Sequence, residues 1–156
     1  MRVRTSKAWL IHARGFTLVE VIMVLAILAI LAGIAYPTYI ESVRKGKRTE
    51  GRAALFLLLQ QQERFYSQHN TYIAFSSSST DDDGKKFKWF SGTSPKGSAY
   101  EIRAEACENE TIQNCVQLTA MPGTKNVGGN YQDPVCGNLK ISSTGIKDAM
   151  HPDCWN

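Results

Sequence analysis

Acidic residues are absent from the first 19 positions, and no charged residue of either sign lies between Glu20 and Glu41. The basic residues before this uncharged stretch are Arg2, Arg4, Lys7 and Arg14. Without these four, the remaining Lys and Arg residues of the 18 balance the 14 acidic residues, so the rest of the chain is formally neutral. Net charge therefore does not predict a general affinity for the phosphate backbone of nucleic acid.

Histidine is also scarce, with only His12, His69 and His151 in 156 residues. Neither His69 nor His151 combines with the scattered acids into a set of nucleophile, base and orienting group. The sequence therefore predicts a protein that is not an enzyme and that has no catalytic residue, no metal site and no cofactor.

Cysteine is absent from the first 106 residues, and four cysteines lie in the last third of the chain, Cys107, Cys115, Cys136 and Cys154. Four thiolates can hold zinc, but the close C-x-x-C pairs that are typical of zinc sites are absent. Two disulfides are the favoured interpretation, and they indicate an oxidising compartment outside the cytoplasm. Of the three connectivities we favour Cys107–Cys115 with Cys136–Cys154.

One long hydrophobic run, residues 16–40, is present, and Glu20 is its only charged residue. About 20 apolar residues in a helix span the roughly 30 Å hydrocarbon core of a bilayer, so the run predicts a membrane helix. The alternative is an ordinary secretory signal with an apolar core at 21–31, cleaved after Gly33-Ile34-Ala35, which gives a soluble protein that begins near Tyr36. That alternative does not explain Glu20, because an acidic side chain at mid-membrane costs about 2.5–3.5 kcal/mol.

The sequence Gly15-Phe16-Thr17-Leu18-Val19-Glu20, with its basic leader and apolar continuation, resembles the class III signal of type IV pilins. The resemblance implies that prepilin peptidase cleaves between Gly15 and Phe16 and then methylates the new amine of Phe16. It also implies an α+β type IV pilin fold, in which a long N-terminal helix carries a C-terminal antiparallel sheet. The implied partners are other pilins in a helical filament, prepilin peptidase, the inner-membrane assembly platform and the membrane itself.

Glu20 has a physical role in such a filament. Cleavage leaves an ammonium group on Phe16, and Glu20 of a neighbouring subunit can neutralise it where solvent is scarce. A carboxylate and an amine that are removed from water are stable only when paired. The pair would then set the axial register of each incoming subunit.

A helix is expected from Phe16 to about Ser67, since apolar residues recur at near-helical spacing beyond the membrane run. Gly33 and Pro37 predict a helix break, because proline removes a backbone donor. The expected divisions are a cleaved leader at 1–15, a membrane and filament-core helix at 16–43, and a head at 44–156, with an amphipathic helix at 44–67, a loop at 69–98 and a sheet and disulfide region at 99–156.

Two polar clusters are candidate binding surfaces. The basic residues between Arg44 and Arg52 could contact DNA or lipid, but a solvated helical turn is favoured. In the loop, three consecutive aspartates at 81–83 lack the alternate spacing of a calcium loop. The possible DNA contacts there are Lys85, Lys86, Lys88 and Trp89. The favoured alternative is that the loop's aromatic residues pack on the sheet while its lysines face water.

Alternating apolar residues predict strands at 100–106, at 116–120 and at 139–141. The tail from Cys136 to Trp155 resembles the C-terminal disulfide region of PilE-like minor pilins. The resulting prediction is a structural subunit, a minor pilin, of a type IV pilus that supports adhesion, twitching motility or DNA uptake. The alternatives are a DNA-receptor pilin of the ComP type and a pseudopilin of a type II secretion system. The protein is expected to cross the inner membrane once before assembly and then to lie in an extracellular pilus on the cell surface.

Overall fold

The structure, a computed structural model, describes residues 15–155. The basic leader other than Gly15 therefore lies outside the described residues. Contacts divide the chain into two compact units, with the boundary between Ile40 and Glu41. The regular elements are helix α1 (Leu18–His69), strands β1 (Tyr100–Ala106), β2 (Val116–Pro122), β3 (Leu139–Ser142) and β4 (Lys147–Asp148), and short 3₁₀ helices at Gly84–Lys86 and Pro152–Trp155.

Local signals explain where α1 begins and ends. The backbone N–H of Glu20 donates to Oγ1 of Thr17 at 3.2 Å, so Thr17 caps the first turn. Glu20 lies in that turn, where a negative charge is favoured by the helix dipole. At the other end Asn70 adopts a left-handed conformation with φ of 53°, which ends the helix after His69. The predicted long N-terminal helix is confirmed.

The helix continues through Gly33 and Pro37, so the break predicted at these residues is absent from the single chain. Pro37 lacks an N–H and leaves the carbonyl of Gly33, four residues earlier, without its helical donor. The flanking turns keep their own hydrogen bonds, and a proline inside a long helix is tolerated at a cost of about 3 kcal/mol. Melting of this zone in a filament stays a prediction.

The four strands form one antiparallel sheet in the order β1-β2-β3-β4, so each strand pairs with its neighbour in the chain. Ala104 pairs with Leu118, which pairs with Ile141, and all three side chains are buried on the same face. This confirms the predicted antiparallel sheet. Strand β4 was not predicted, because two exposed residues carry no alternating pattern.

The outer edge of β1 is covered by the chain segment between α1 and β1. Phe75 pairs with Ala104, and Phe90 pairs with Glu101, in isolated bridges. The N–H of Ile102 donates to the carbonyl of Trp89 at 2.7 Å. This pairing blocks an edge that would otherwise be open to another strand.

The core of the head lies between the second part of α1 and the inner face of the sheet. Gly51 lies against Tyr100, where a Cβ atom on residue 51 would come within 2.9 Å of the ring. The absence of a side chain therefore allows this close approach. The buried apolar residues are Ala54, Leu55 and Leu58 of α1, Tyr72, Phe75 and Phe87 of the connection, and Ala99, Tyr100, Ile102, Ala104, Val116, Leu118, Ala120, Leu139 and Ile141 of the sheet region.

Both disulfides are formed in the structure. Cys107 and Cys115 join the ends of the β1–β2 connection, with their Cα atoms 5.4 Å apart. Cys136 and Cys154, with Cα atoms 5.7 Å apart, tie the tail to the segment before β3 and belong to the core. Each crosslink restricts the unfolded chain, which for loops of this size stabilises the fold by about 2–3 kcal/mol.

A buried ion pair holds α1 to the segment before β3. Asp133 has a fully buried side chain and accepts two hydrogen bonds of 2.6 Å from the guanidinium of Arg48. The Tyr100 hydroxyl donates to the same carboxylate at 2.8 Å, and the N–H of Cys136 donates at 3.1 Å. Burial alone would raise the pKa of Asp133, but these donors and the charge of Arg48 together lower it.

We expect Asp133→Asn to lower the free energy of unfolding by about 3–5 kcal/mol, because it leaves the buried Arg48 with only the more distant and more exposed Glu41 as a counter-charge. Denaturant titration followed by tryptophan fluorescence measures the loss. Since the pKa of Asp133 is lower in the folded state, its contribution is complete above its unfolded pKa of about 3.9 and is lost as the pH falls through the lower folded value. The stability of the Asp133→Asn variant should therefore not show this loss when the pH is lowered.

The matched control is Asp82→Asn, since the Asp82 side chain is 99% exposed. We expect it to change the stability by less than about 0.5 kcal/mol. Equal losses in the two variants would contradict a special role for the buried pair.

Candidate functional site

The apolar part of α1 has no cover within its own chain. An 18-residue window of this helix is long and apolar enough to cross a membrane, and none of that window is buried. The large exposed side chains are Leu18, Val19, Val21, Ile22, Met23, Val24, Leu25, Ile27, Leu28, Ile30, Leu31 and Ile34. A helix that is apolar on all sides requires lipid or other protein around it.

Phe16 and Glu20 lie together at the start of this segment. Both side chains line one shallow surface depression with Val21, Val24 and Leu25. Phe16 is 82% exposed, and within residues 15–155 the Glu20 carboxylate has no ion-pair partner. The geometry therefore presents a carboxylate and the predicted cleavage point side by side on one helix end.

Two aspartates of the loop form ion pairs with two of its lysines. Nζ of Lys86 lies 2.7 Å from Oδ1 of Asp83, and Nζ of Lys85 lies 3.9 Å from Oδ1 of Asp82. The hydrogen bond from Lys86, and then its charge, lower the pKa of Asp83. No cluster of three metal-ligating side chains occurs in the described part of the chain.

The loop's aromatic residues pack inward. Phe87 is buried and stacks on Phe75 with ring centroids 5.1 Å apart. Trp89 is half-buried against the core, whereas Nζ of Lys88 lies over the ring of Phe90 at 5.0 Å. The loop therefore has the arrangement favoured from sequence, with aromatics on the sheet and lysines at the surface.

Glu101 joins two loops through a buried carboxylate. Ser77 of the α1–β1 connection donates to it at 2.6 Å, and Asn126 of the β2–β3 connection donates at 2.9 Å. Thr124 donates to the second carboxylate oxygen. Burial alone would raise the pKa of Glu101, but these three donors lower it. Glu101 alternates with the apolar residues of β1, a pattern that would place it on the solvent face, and the covering loops explain why it is buried.

A second surface is lined by residues of α1, of the α1–β1 connection and of the β2–β3 connection. We call it the lysine depression; it has a volume of about 220 Å³. Lys47 of α1 and Lys96 of the α1–β1 connection supply its charged side chains. The remaining lining comes from Gly97, Ser98, Ala99, Gly128, Gly129, Asn130 and Tyr131.

The C-terminal tail carries a further cation–aromatic cluster. Nζ of Lys147 lies 5.2 Å from the ring centre of Phe56 and 5.7 Å from that of Trp155. The two rings meet edge to face, and Nε1 of Trp155 donates to the carbonyl of Asp148 at 3.0 Å. This packing fixes the tail on α1.

The structure thus separates the residues that sequence reasoning grouped by charge. Of the basic cluster, Arg48 is buried in the ion pair and Lys47 lines the lysine depression. Lys96 was missed because it stands alone in the sequence. The dipeptides Lys96-Gly97 and Gly128-Gly129 were usable signals, since glycines mark turns that can bring distant loops together.

Comparison with known proteins identifies the family. A family model described as the type IV minor pilin ComP, DNA uptake sequence receptor, matches residues 37–140, and a model of the prokaryotic N-terminal methylation motif matches residues 11–36. The type IV major pilin PilA of Myxococcus xanthus is 39% identical over 63 residues, which are 40% of this chain and 29% of that protein. The chain therefore matches less than a third of this curated relative's length.

A solved type IV pilin from Shewanella oneidensis is 22% identical, covers 72% of this chain and 97% of its own, and has a TM-score of 0.46. The ComP model alone takes in two thirds of the present chain, including the second part of α1 and strands β1 and β2. The methylation motif covers the start of the apolar helix, which holds the subunit in the inner membrane before it becomes part of an extracellular pilus. The chain therefore belongs to the type IV minor pilin family that the ComP model describes.

Proposed function

We propose that the mature chain, beginning at Phe16, is a minor subunit that packs its apolar helix among other pilins. In this account, prepilin peptidase cleaves after Gly15 and methylates Phe16, and the assembly platform then transfers the subunit from the membrane to the filament. The observation that carries the proposal is the apolar helix surface, which is exposed throughout its hydrophobic window. Both lipid and neighbouring helices can cover that surface.

Glu20 supplies the directional part of assembly. Apolar contacts alone allow one helix to slide along another, because they have little dependence on axial position. A carboxylate that must meet the Phe16 ammonium of a neighbour favours one position, since an unpaired charge in an apolar surrounding is heavily penalised. Thr17 supports this geometry by fixing the helix start next to the cleavage point.

We expect Glu20→Val to be inserted and cleaved normally but to enter filaments about tenfold less often or worse. A tenfold change corresponds to about 1.4 kcal/mol, which is well below the cost of one unpaired charge in the membrane. Immunoblots of sheared filaments and of membranes measure the two pools. Wild-type amounts of the variant in filaments would rule out the pairing role.

The matched control is Glu41→Val, which removes a carboxylate from the same helix just beyond the apolar run. Glu41 makes only partly exposed ion pairs with Arg44 and Arg48, at 3.7 and 3.9 Å. Such pairs contribute little to stability. We therefore expect this variant to enter filaments normally.

DNA binding is a second candidate function of the same subunit. It is favoured by the match of residues 37–140 to a family model whose description is a DNA uptake sequence receptor. Because the chain from residue 16 onward is formally neutral, such binding has to come from a local surface and not from overall charge. Of the sequence candidates, Lys85, Lys86 and Lys88 are exposed and supply one basic surface, whereas Trp89 is half-buried.

We expect the mature full-length chain in detergent micelles to shift a pool of short random-sequence DNA duplexes in a gel. Affinity should fall between about 50 and 200 mM salt, because each phosphate contact releases counterions. Sequencing the shifted fraction reports any preferred sequence. A chain that causes no shift at the lowest salt concentration is not a DNA-binding pilin.

A further inference from the structure

We propose that the lysine depression, and not the Lys85–Trp89 loop, holds phosphate groups of the DNA backbone. The proposal rests on the DNA binding proposed above and names the part of the head that performs it. Its basis is the charge and shape of the depression, in which two lysines from distant parts of the chain meet two adjacent glycines.

The two surfaces differ in the acids that accompany their lysines. Lys85 and Lys86 each have an aspartate three residues earlier in the chain, at 3.9 and 2.7 Å, and the same loop holds three consecutive aspartates at 81–83. The residues that line the lysine depression include no acid, and Glu50, which pairs with Lys47, lies outside that lining. An incoming phosphate therefore meets less repulsion at the depression than at the loop.

Lys47 has one acidic neighbour, and that contact leaves it able to bind phosphate. Its Nζ lies 3.0 Å from Oε2 of Glu50, whose other oxygen accepts from the hydroxyl of Ser91 at 3.1 Å. An ammonium group has three donors, so one bond to Glu50 leaves two. Lys96 is exposed on the facing loop and completes the pair.

The glycine turn that closes the depression is held in place before any ligand arrives. The N–H of Gly128 donates to the carbonyl of Ser98 at 2.8 Å, and the N–H of Tyr131 donates to the carbonyl of Gly128 at 2.9 Å. A Cβ atom on residue 128 would come within 2.9 Å of the Ser98 oxygen, so glycine permits this approach of the two loops. A preformed site loses little conformational entropy on binding.

Tyr131 is held in place beside the depression by its contacts with Tyr100. Its half-buried ring packs edge to face on Tyr100, with centroids 5.4 Å apart, and its hydroxyl lies 3.2 Å from that of Tyr100. The exposed part of the ring forms one wall of the depression. A wall held in this way adds to the preformed shape of the depression.

The test compares two double variants that remove the same charge. In Lys47→Gln with Lys96→Gln, both cations of the depression are lost; in Lys85→Gln with Lys86→Gln, two cations of the loop are lost. Full-length mature protein in micelles is titrated with the DNA duplex pool at several salt concentrations. The unfolding midpoint of each variant establishes that its fold is retained.

We expect the depression variant to bind about 60-fold more weakly at 0.1 M salt, with the slope of log K against log salt reduced by about 1.8. The loop variant should differ from wild type by no more than about twofold. An equal loss in both variants, or a loss without a change of slope, would overturn the assignment while DNA binding itself stands. If the wild-type chain binds no DNA, the proposed DNA function fails and the assignment fails with it.

Discussion

The constraint on which the rest of this protein depends is an apolar helix surface that its own chain leaves open. Leu28, Leu31 and Ile34 are each more than half exposed, and burying one such side chain is worth about 1.5–3 kcal/mol. Summed over the segment, the free energy of burial makes water a very unfavourable environment for these side chains. A membrane and a bundle of like helices both relieve the cost, so one segment can serve first as an anchor and then as an assembly surface. In the proposed assembly, Glu20 favours the filament over the membrane, because a neighbouring subunit supplies the Phe16 ammonium as its counter-charge.

The head contains long connections that must be held on a small sheet. Two buried carboxylates hold several of these connections in place. Asp133 joins α1 to the chain before β3, and Glu101 joins the connection before β1 to the one after β2. Each is surrounded by donors that lower its pKa, so each carries its charge at neutral pH. The disulfides reinforce the remaining ends, at the β1–β2 hairpin and at the tail.

Local patterns in the sequence predicted much of this architecture. The apolar run and its leader indicated the helix and its class, and alternation from Tyr100 to Ala106 indicated β1. What sequence could not supply were pairings between distant residues. Arg48 and Asp133 are 85 positions apart, and nothing near either residue distinguishes it from a surface charge. The burial of Glu101 was missed for the same reason, since its donors come from two separate loops.

The candidate binding surfaces also depend on contacts between residues that are distant in the sequence. Lys85 and Lys86 were visible as a cluster because they are adjacent, yet the aspartates that make the segment polar also pair with them. Lys47 and Lys96 share a surface only because α1 and the glycine turn both pack near the start of β1. At Gly33 and Pro37 a local signal predicted a break, but α1 is continuous there in the single chain, so melting of this zone in a filament stays a prediction.

Intact mass spectrometry of the protein recovered from sheared filaments tests the central claim most directly. The account predicts a mature chain that starts at Phe16 and carries one added methyl group on its amine. Its mass should also lack the thiol hydrogens that are lost when the two disulfides form. That mass would show that the apolar helix is kept and carried into the pilus. A chain that starts near Tyr36, without the apolar helix, would contradict the account.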